Sequence, residues 1–240
     1  MGQVGLVQSR PVAAQVISRT PAAVELRRVS KVFAGPPPRE VFSDLNISIR
    51  PGEFTALSGP IGCGKTTLIN LITGAIPPTS GSISVGGIEV AEAPEDVMAG
   101  VRANEMGVVS QVQNLFDELS VSENIRLPLI FSRLEERSRS SRVAEVLERI
   151  GISEYADRRV GELSVGEREL VSIARALVSD PPLVLMDEPT ESLDPLIADV
   201  VLKLLSGDNL TRGKTIVIAT HDKKILDLAD RTIRIKKKIL

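Results

Sequence analysis

FTALSGPIGCGKTTLINLITG, residues 54–74, decides the fold. FTALSG is a short apolar run of strand character. GPIGCGKT fits the spacing G-x-x-x-x-G-K-[ST], and KTTLINLITG reads as a helix closed by Gly74. The loop needs glycine at Gly59, Gly62 and Gly64, because backbone N–H groups must turn inward and approach phosphates closely. Pro60, Ile61 and Cys63 complete it. The helix behind the loop directs about half a positive charge at the anion. Lys65 is placed to reach the β and γ phosphates, Thr66 to offer its hydroxyl to Mg²⁺, and Thr67 to lie near the α-phosphate. The bland alternative is a glycine-rich turn before an ordinary helix.

That alternative weakens downstream. LVLMDE, residues 183–188, is an apolar run suited to a buried strand and ends in two carboxylates. Asp187 is placed to hold Mg²⁺ through water. Glu188 is placed to polarise an attacking water, and a general base of this kind contributes about 10²–10⁴-fold. Alone, an Asp-Glu pair is also what a solvated strand end looks like. Cys63 fits as a small loop residue; the helix N-terminus and Lys65 would favour its thiolate, so alkylation that ATP blocks is expected there.

Composition sets outer bounds. The 240 residues are 42% hydrophobic and 25% charged, with net charge −2, as in an ordinary soluble globular protein with a sizeable core. Nothing in that balance demands nucleic acid. RTIRIKKKIL, residues 231–240, is locally basic, which suits either a solvated last strand or contact with lipid head groups. Cys63 is the one cysteine, so no intrachain disulfide forms. No apolar run approaches the ~20 residues that span a bilayer, and no secretory leader pattern opens the chain.

Along the chain, residues 1–22 show no clear period and read as a mobile extension, leaving 23–240 as the domain. VELRRVSKVF and VFSDLNISI alternate enough to be paired strands. AGPPPRE between them cannot continue a ladder, since proline lacks the donor. SRLEERSRSSRVAEVLERIGI has helical spacing with Val143, Val146, Leu147 and Ile150 on one face, and stops at Gly151. With SVSENIRLPLIF it predicts a helical subdomain over about 114–177. Beyond it helix and strand alternate, which argues a parallel sheet with helices on its faces.

LSVGE, residues 163–167, lies between the loop and the acidic strand end, followed by ERELVSIARAL. The order phosphate loop, Gln111 in MGVVSQ, LSVGE, LVLMDE, SLD, then His221 after KTIVIAT resembles the ATP-binding-cassette (ABC) ATPases over roughly 24–235. The resemblance implies a P-loop NTPase with a RecA-like α/β core, an antiparallel β subdomain and a helical subdomain. It implies Gln111 as the Q-loop residue that senses Mg²⁺ and water, and His221 as the γ-phosphate contact, although a lone histidine is more often structural. Phe33 aligns with the aromatic that stacks on adenine, an interaction worth about 1–3 kcal/mol by analogy with single-strand binding; core packing is the other reading. In the family, the signature of one subunit closes over ATP held by the other. Ser164 would donate its hydroxyl, Gly166 would let the backbone approach, and a helix beginning near Glu167 would aim its dipole at the γ-phosphate. Asp194 in SLD would run along that interface.

Two ATP and Mg²⁺ would therefore be held in a homodimer, or in a pair with a homologous ATPase. Val165 stands where the family usually has glycine, and a required φ > 0 would cost on the order of 1–3 kcal/mol. MGVVSQVQNLFDELSVSENIRLPLIF resembles the lipoprotein-release, macrolide-efflux and cell-division group. That group implies a separate membrane permease, a place at the cytoplasmic face of the membrane, and extrusion or mechanotransmission of lipid, lipoprotein or peptide. A regulatory ATPase controlling cell-wall hydrolases is the alternative within the group, and a soluble non-transport ATPase is a third reading.

Overall fold

In chain order the computed structural model runs β1 (Gly5–Leu6), β2 (Val24–Phe33), β3 (Arg39–Ile49), β4 (Phe54–Ser58), α1 (Lys65–Ile72), β5 (Ser80–Val85), β6 (Ile88–Glu89), α2 (Glu95–Glu105), β7 (Met106–Val109), α3 (Val121–Arg126), α4 (Glu136–Ile150), α5 (Val165–Leu177), β8 (Leu183–Asp187), α6 (Pro195–Leu205), β9 (Thr215–Ala219), α7 (Lys223–Leu228) and β10 (Arg231–Arg234). It describes residues 5–6, 23–131, 135–191, 193–207 and 211–236. Two compact units divide the chain: Met1–Met98 with Thr215–Leu240, and Ala99–Lys214.

The first unit holds two sheets. One is antiparallel in the order β3-β2-β5-β6. On β3, Phe42, Leu45, Ile47 and Ile49 are buried and most of their neighbours are not, the alternation of a strand with one covered face. The two strands expected to pair do so, from Val24↔Ile49 to Phe33↔Arg39, with register shifts after Leu26. The proline-rich turn between them is shorter than the sequence suggests, because Arg39 already belongs to β3. In the other sheet β4 runs parallel to β10 on one side and to β9 on the other. β9 is buried at every residue and β4 at all but Ser58, as a strand covered on both faces requires. Of the expected extension over residues 1–22, Gly5–Leu6 pairs antiparallel with β10 and the rest lies outside the described residues. The basic end beyond residue 236 does so too.

In the second unit β7 and β8 are parallel, from Met106↔Leu183 to Val109↔Met186. The expected apolar face of α4, namely Val143, Val146, Leu147 and Ile150, is buried, and Gly151 ends the helix at φ 80. Val121 and Ile125 of α3 and Val171 and Ala174 of α5 are fully buried. α3 and α5 share one start. Ser120 and Ser164 each cap their helix, and Glu123 and Glu167 reach back to the serine N–H, closing two capping boxes. The compact unit that contains α3, α4 and α5 is wider than residues 114–177, since it runs from Ala99 to Lys214.

Candidate functional site

In the first unit the loop between β4 and α1 is fixed by close approach. Gly64 caps α1 at φ 105, and a Cβ there would meet Val41 Cγ1 at 2.5 Å and Phe42 Cζ at 2.8 Å. A Cβ on Gly59 would lie 2.4 Å from the Ile235 carbonyl oxygen. Pro60, Ile61, Gly62 and Thr66 are exposed, and Thr67 is half-buried. Lys65 folds back so that Nζ donates to Gly59 O at 3.1 Å. The first turn of α1 holds no acidic residue, so nothing there offsets the helix's positive end.

Cys63 is buried within the loop. It is 3% exposed, and its Sγ lies 2.7 Å from where a Gly59 Cβ would be. Its thiol is therefore expected to react with an alkylating reagent more slowly than an exposed thiol.

Phe33 ends β2 at 40% exposure, which removes the core-packing reading. Lys31 Nζ stands 5.0 Å from its ring centroid and donates to Pro77 O at 2.7 Å, which steadies the ring from one side. His221 is exposed and follows Thr220, which is fully buried. The turn is tied on both sides. Thr220 N–H donates to Leu57 O at 3.0 Å, and Asp222 N–H to Thr220 Oγ1 at 3.0 Å. Asp222 Oδ1 then accepts from Lys224 N–H at 2.9 Å to cap α7.

The second unit gathers the acidic half of the predicted site. Asp187 ends β8 at 3% exposure. Glu188 follows in the left-handed region at φ 51, a conformation that costs on the order of 1–3 kcal/mol and is kept where geometry is wanted. A cavity of about 100 Å³ is lined by Gln111, Gln113, Val165, Glu169, Asp187, Glu188 and Glu191, among others. Gln111 Nε2 donates to Glu191 Oε2 at 3.1 Å, which leaves the amide oxygen of Gln111 as a free acceptor side for a cation.

Residues that the sequence reading passed over hold the Q-loop in place. Gln113 Nε2 donates to Glu169 Oε2 at 2.7 Å. The Arg175 guanidinium donates to Gln113 O at 2.6 Å and Asn114 O at 2.8 Å. Both partners sit on α5, the helix that begins at the signature. Burial pushes the Glu169 carboxyl above the ordinary range, with the Gln113 bond pulling partly back. Burial also lowers the Arg175 guanidinium. No local motif marks these contacts, which join residues 56 and 62 positions apart.

At the signature two expectations change. α5 begins at Val165, not near Glu167, because Ser164 is the cap: its Oγ accepts from Glu167 N–H at 3.3 Å, and Glu167 Oε2 accepts from Ser164 N–H at 2.7 Å. The Ser164 bonds hold the Glu167 carboxyl below its usual value. Val165 occupies the first helical turn and is absent from the positive-φ residues, so the feared valine strain does not arise. The cap uses an Oγ lone pair and leaves the Ser164 hydroxyl proton to be donated. Gly166 is buried in that same turn. Asp194 caps α6, Oδ1 accepting from Leu196 N–H at 2.9 Å and Ile197 N–H at 3.1 Å, with Pro195 at the favoured first position.

The chain resembles known proteins over most of its length. A family model described as ABC transporter matches residues 42–191. The chain is 34% identical over 212 residues to the uncharacterized ABC transporter ATP-binding protein YvrO of Bacillus subtilis, covering 88% of this chain and 92% of that one. It is 38% identical over 201 residues to the lipoprotein-releasing system ATP-binding protein LolD of Chromohalobacter salexigens, covering 84% and 85%. It is 34% identical to the macrolide export ATP-binding/permease protein MacB of Hyphomonas neptunium, across 90% of this chain but 34% of that longer one. Among solved structures, the dimeric post-hydrolysis ATP-binding cassette MJ0796 bound to ADP and Pi superposes with a TM-score of 0.83 at 32% identity, covering 90% of this chain and 97% of that one.

Proposed function

This chain belongs to the ABC transporter family of ATPases, and on that premise we propose that it drives a separate membrane permease that extrudes lipid, lipoprotein or peptide. Nucleotide binding and ATP hydrolysis follow from the family itself. The branch rests on one observation, the 38% identity to a lipoprotein-releasing ATPase across 84% of this chain and 85% of that relative. Among the described residues no helix is long and apolar enough to cross a membrane. In this reading the membrane pathway lies in another chain, and this one docks at the cytoplasmic face.

The proposed division of labour follows the residues. Backbone N–H groups of the loop and Lys65 bind and orient the phosphates, Phe33 takes the adenine, and His221 contacts the γ-phosphate. Thr66 offers a hydroxyl, Gln111 an amide oxygen and Asp187 a carboxylate, each the kind of hard oxygen donor that Mg²⁺ prefers. When bound, the ion neutralises charge on the phosphate oxygens. Glu188 accepts the proton of the attacking water. Ser164 and Gly166 of one protomer approach the ATP held by its partner, with Glu167 fixing the serine and Asp194 fixing the start of α6 along that face. Hydrolysis removes the γ-phosphate contacts and the pair reopens.

Glu188→Gln keeps the size and removes the base. Turnover is expected to fall at least about 10²-fold while ATP still binds; turnover near that of the parent sinks the base assignment. The same variant, pulled with Mg-ATP from its own cell membranes, is expected to bring down a permease with a large extracytoplasmic domain. A partner binding a cell-wall hydrolase would favour the regulatory reading, and solely soluble partners would overturn the membrane one.

A further inference from the structure

The phosphate loop has a second cation that its motif does not contain. Arg39 opens β3 just after the proline turn, and its partner across the antiparallel ladder is Phe33. From that position it reaches the loop: Nη2 donates to Gly62 O at 3.2 Å. A Cβ built on Gly62 would still clear that nitrogen at 3.9 Å, so the guanidinium rests on an exposed, uncrowded side of the loop. Lys65 makes the matching contact at the other end, on Gly59 O at 3.1 Å.

Arg39 and Lys65 each donate to a carbonyl of the loop that the proposed function assigns to phosphate. A bond from a guanidinium to a phosphate oxygen is roughly twice as strong as one between neutral groups, and the planar fork fits two phosphate oxygens at once. Further along β3, Val41 and Phe42 also approach the loop, at Gly64, but they carry no charge.

We propose that Arg39 is a further nucleotide-binding residue, which leaves Gly62 O to take the α- and β-phosphates that ATP and ADP share. It approaches from the Phe33 side, hence from the base end of the nucleotide, while Lys65 serves the β and γ end. The inference rests on the nucleotide reading of the loop and adds to it a charge that sequence spacing does not reveal. Arg39 and Gly62 are 23 residues apart.

Calorimetric titration of the full chain with ATP and with ADP tests it, using the parent, Arg39→Gln and Arg39→Lys. Arg39→Gln is expected to weaken both nucleotides alike, by about 10-fold, with Arg39→Lys recovering part of the loss. Raising salt should narrow the gap between parent and Arg39→Gln. Affinities of Arg39→Gln within 2-fold of the parent would make Arg39 a solvated surface residue. A loss for ATP alone would move the charge to the γ-phosphate and overturn the assignment. A parent that binds neither nucleotide would instead count against the loop itself. The side chain is exposed, so an unchanged thermal melt keeps folding apart from binding.

Discussion

Glu169 shows what a single residue contributes beyond a motif. It is 8% exposed and accepts one strong bond from Gln113 at 2.7 Å. Its carboxyl titrates above the ordinary range because burial disfavours the charged form. The folded state therefore holds that proton more tightly than the unfolded chain does. The residue's contribution to stability is greatest below the unfolded value and is lost as pH rises through the folded one. Glu169→Gln keeps a carbonyl acceptor for Gln113 and removes the buried charge. At pH 8 the variant should melt a few degrees higher, on the order of 1 kcal/mol, and the gain should fade as pH falls toward 5. Melting curves across that range decide it, and a lower melt at pH 8 would mean that the charge itself is needed.

The same scale separates what was legible from what was not. Lys65, Asp187 and Glu188 could be read because each sits at fixed spacing inside a local motif. Arg39, Gln113, Glu169 and Arg175 could not, because their partners are brought near by strand pairing or helix packing, which spacing along the chain does not encode.

Among the elements, α5 carries the most argument. Its signature serine closes the helix cap through Oγ, and the proposed function gives the proton of the same hydroxyl a second task at a phosphate. The pattern serine, two residues, glutamate was present at Ser120 and at Ser164, and a capping-box reading would have started both helices correctly. A helix expected to begin near Glu167 starts two residues earlier, and Val165, being helical, does not need the φ > 0 that would have strained it. Substitution separates the two tasks. Ser164→Ala should cost about 1 kcal/mol of stability by losing the cap, and should lower ATPase turnover. Ser164→Asp restores a cap acceptor but sets a negative charge toward the phosphate. It should regain the melting temperature and leave turnover low. Denaturant melts and phosphate release on the same preparations test the pair; turnover that returns together with stability would reduce Ser164 to a cap.

At the scale of the whole molecule, each of the two units carries candidate site residues, and the sheet that bears the phosphate loop in the first unit is completed by β9 and β10. β4 carries the phosphate loop, yet both its neighbours, β9 and β10, come from Thr215 onward. Ile235 N–H donates to Ser58 O at 2.7 Å, just ahead of the loop. The alternation of strand and helix foretold a parallel sheet, but not that the last strands would flank β4, since strand order is a property of three dimensions. The surface carries a second message. Isolated exposed apolar residues are ordinary, but Ile61 at 90%, Val165 at 60% and Leu196 at 81% fall on the phosphate loop, the signature and the residue after the Asp194-Pro195 turn. In the ATP-bound pair proposed above, these are the segments expected to face the partner protomer. With Glu188→Gln to prevent hydrolysis, light scattering should find a dimer in ATP and a monomer in ADP. Adding Leu196→Asp places a charge where a dry contact is proposed and should weaken the ATP dimer by about 10-fold or more. The affinity of the loop for ADP should stay as in the parent, which separates a lost interface from a lost fold. Dimer formation unaffected by the aspartate would mean that Leu196 faces solvent in the assembled state. The α6 start would then have to act through its Asp194 cap alone.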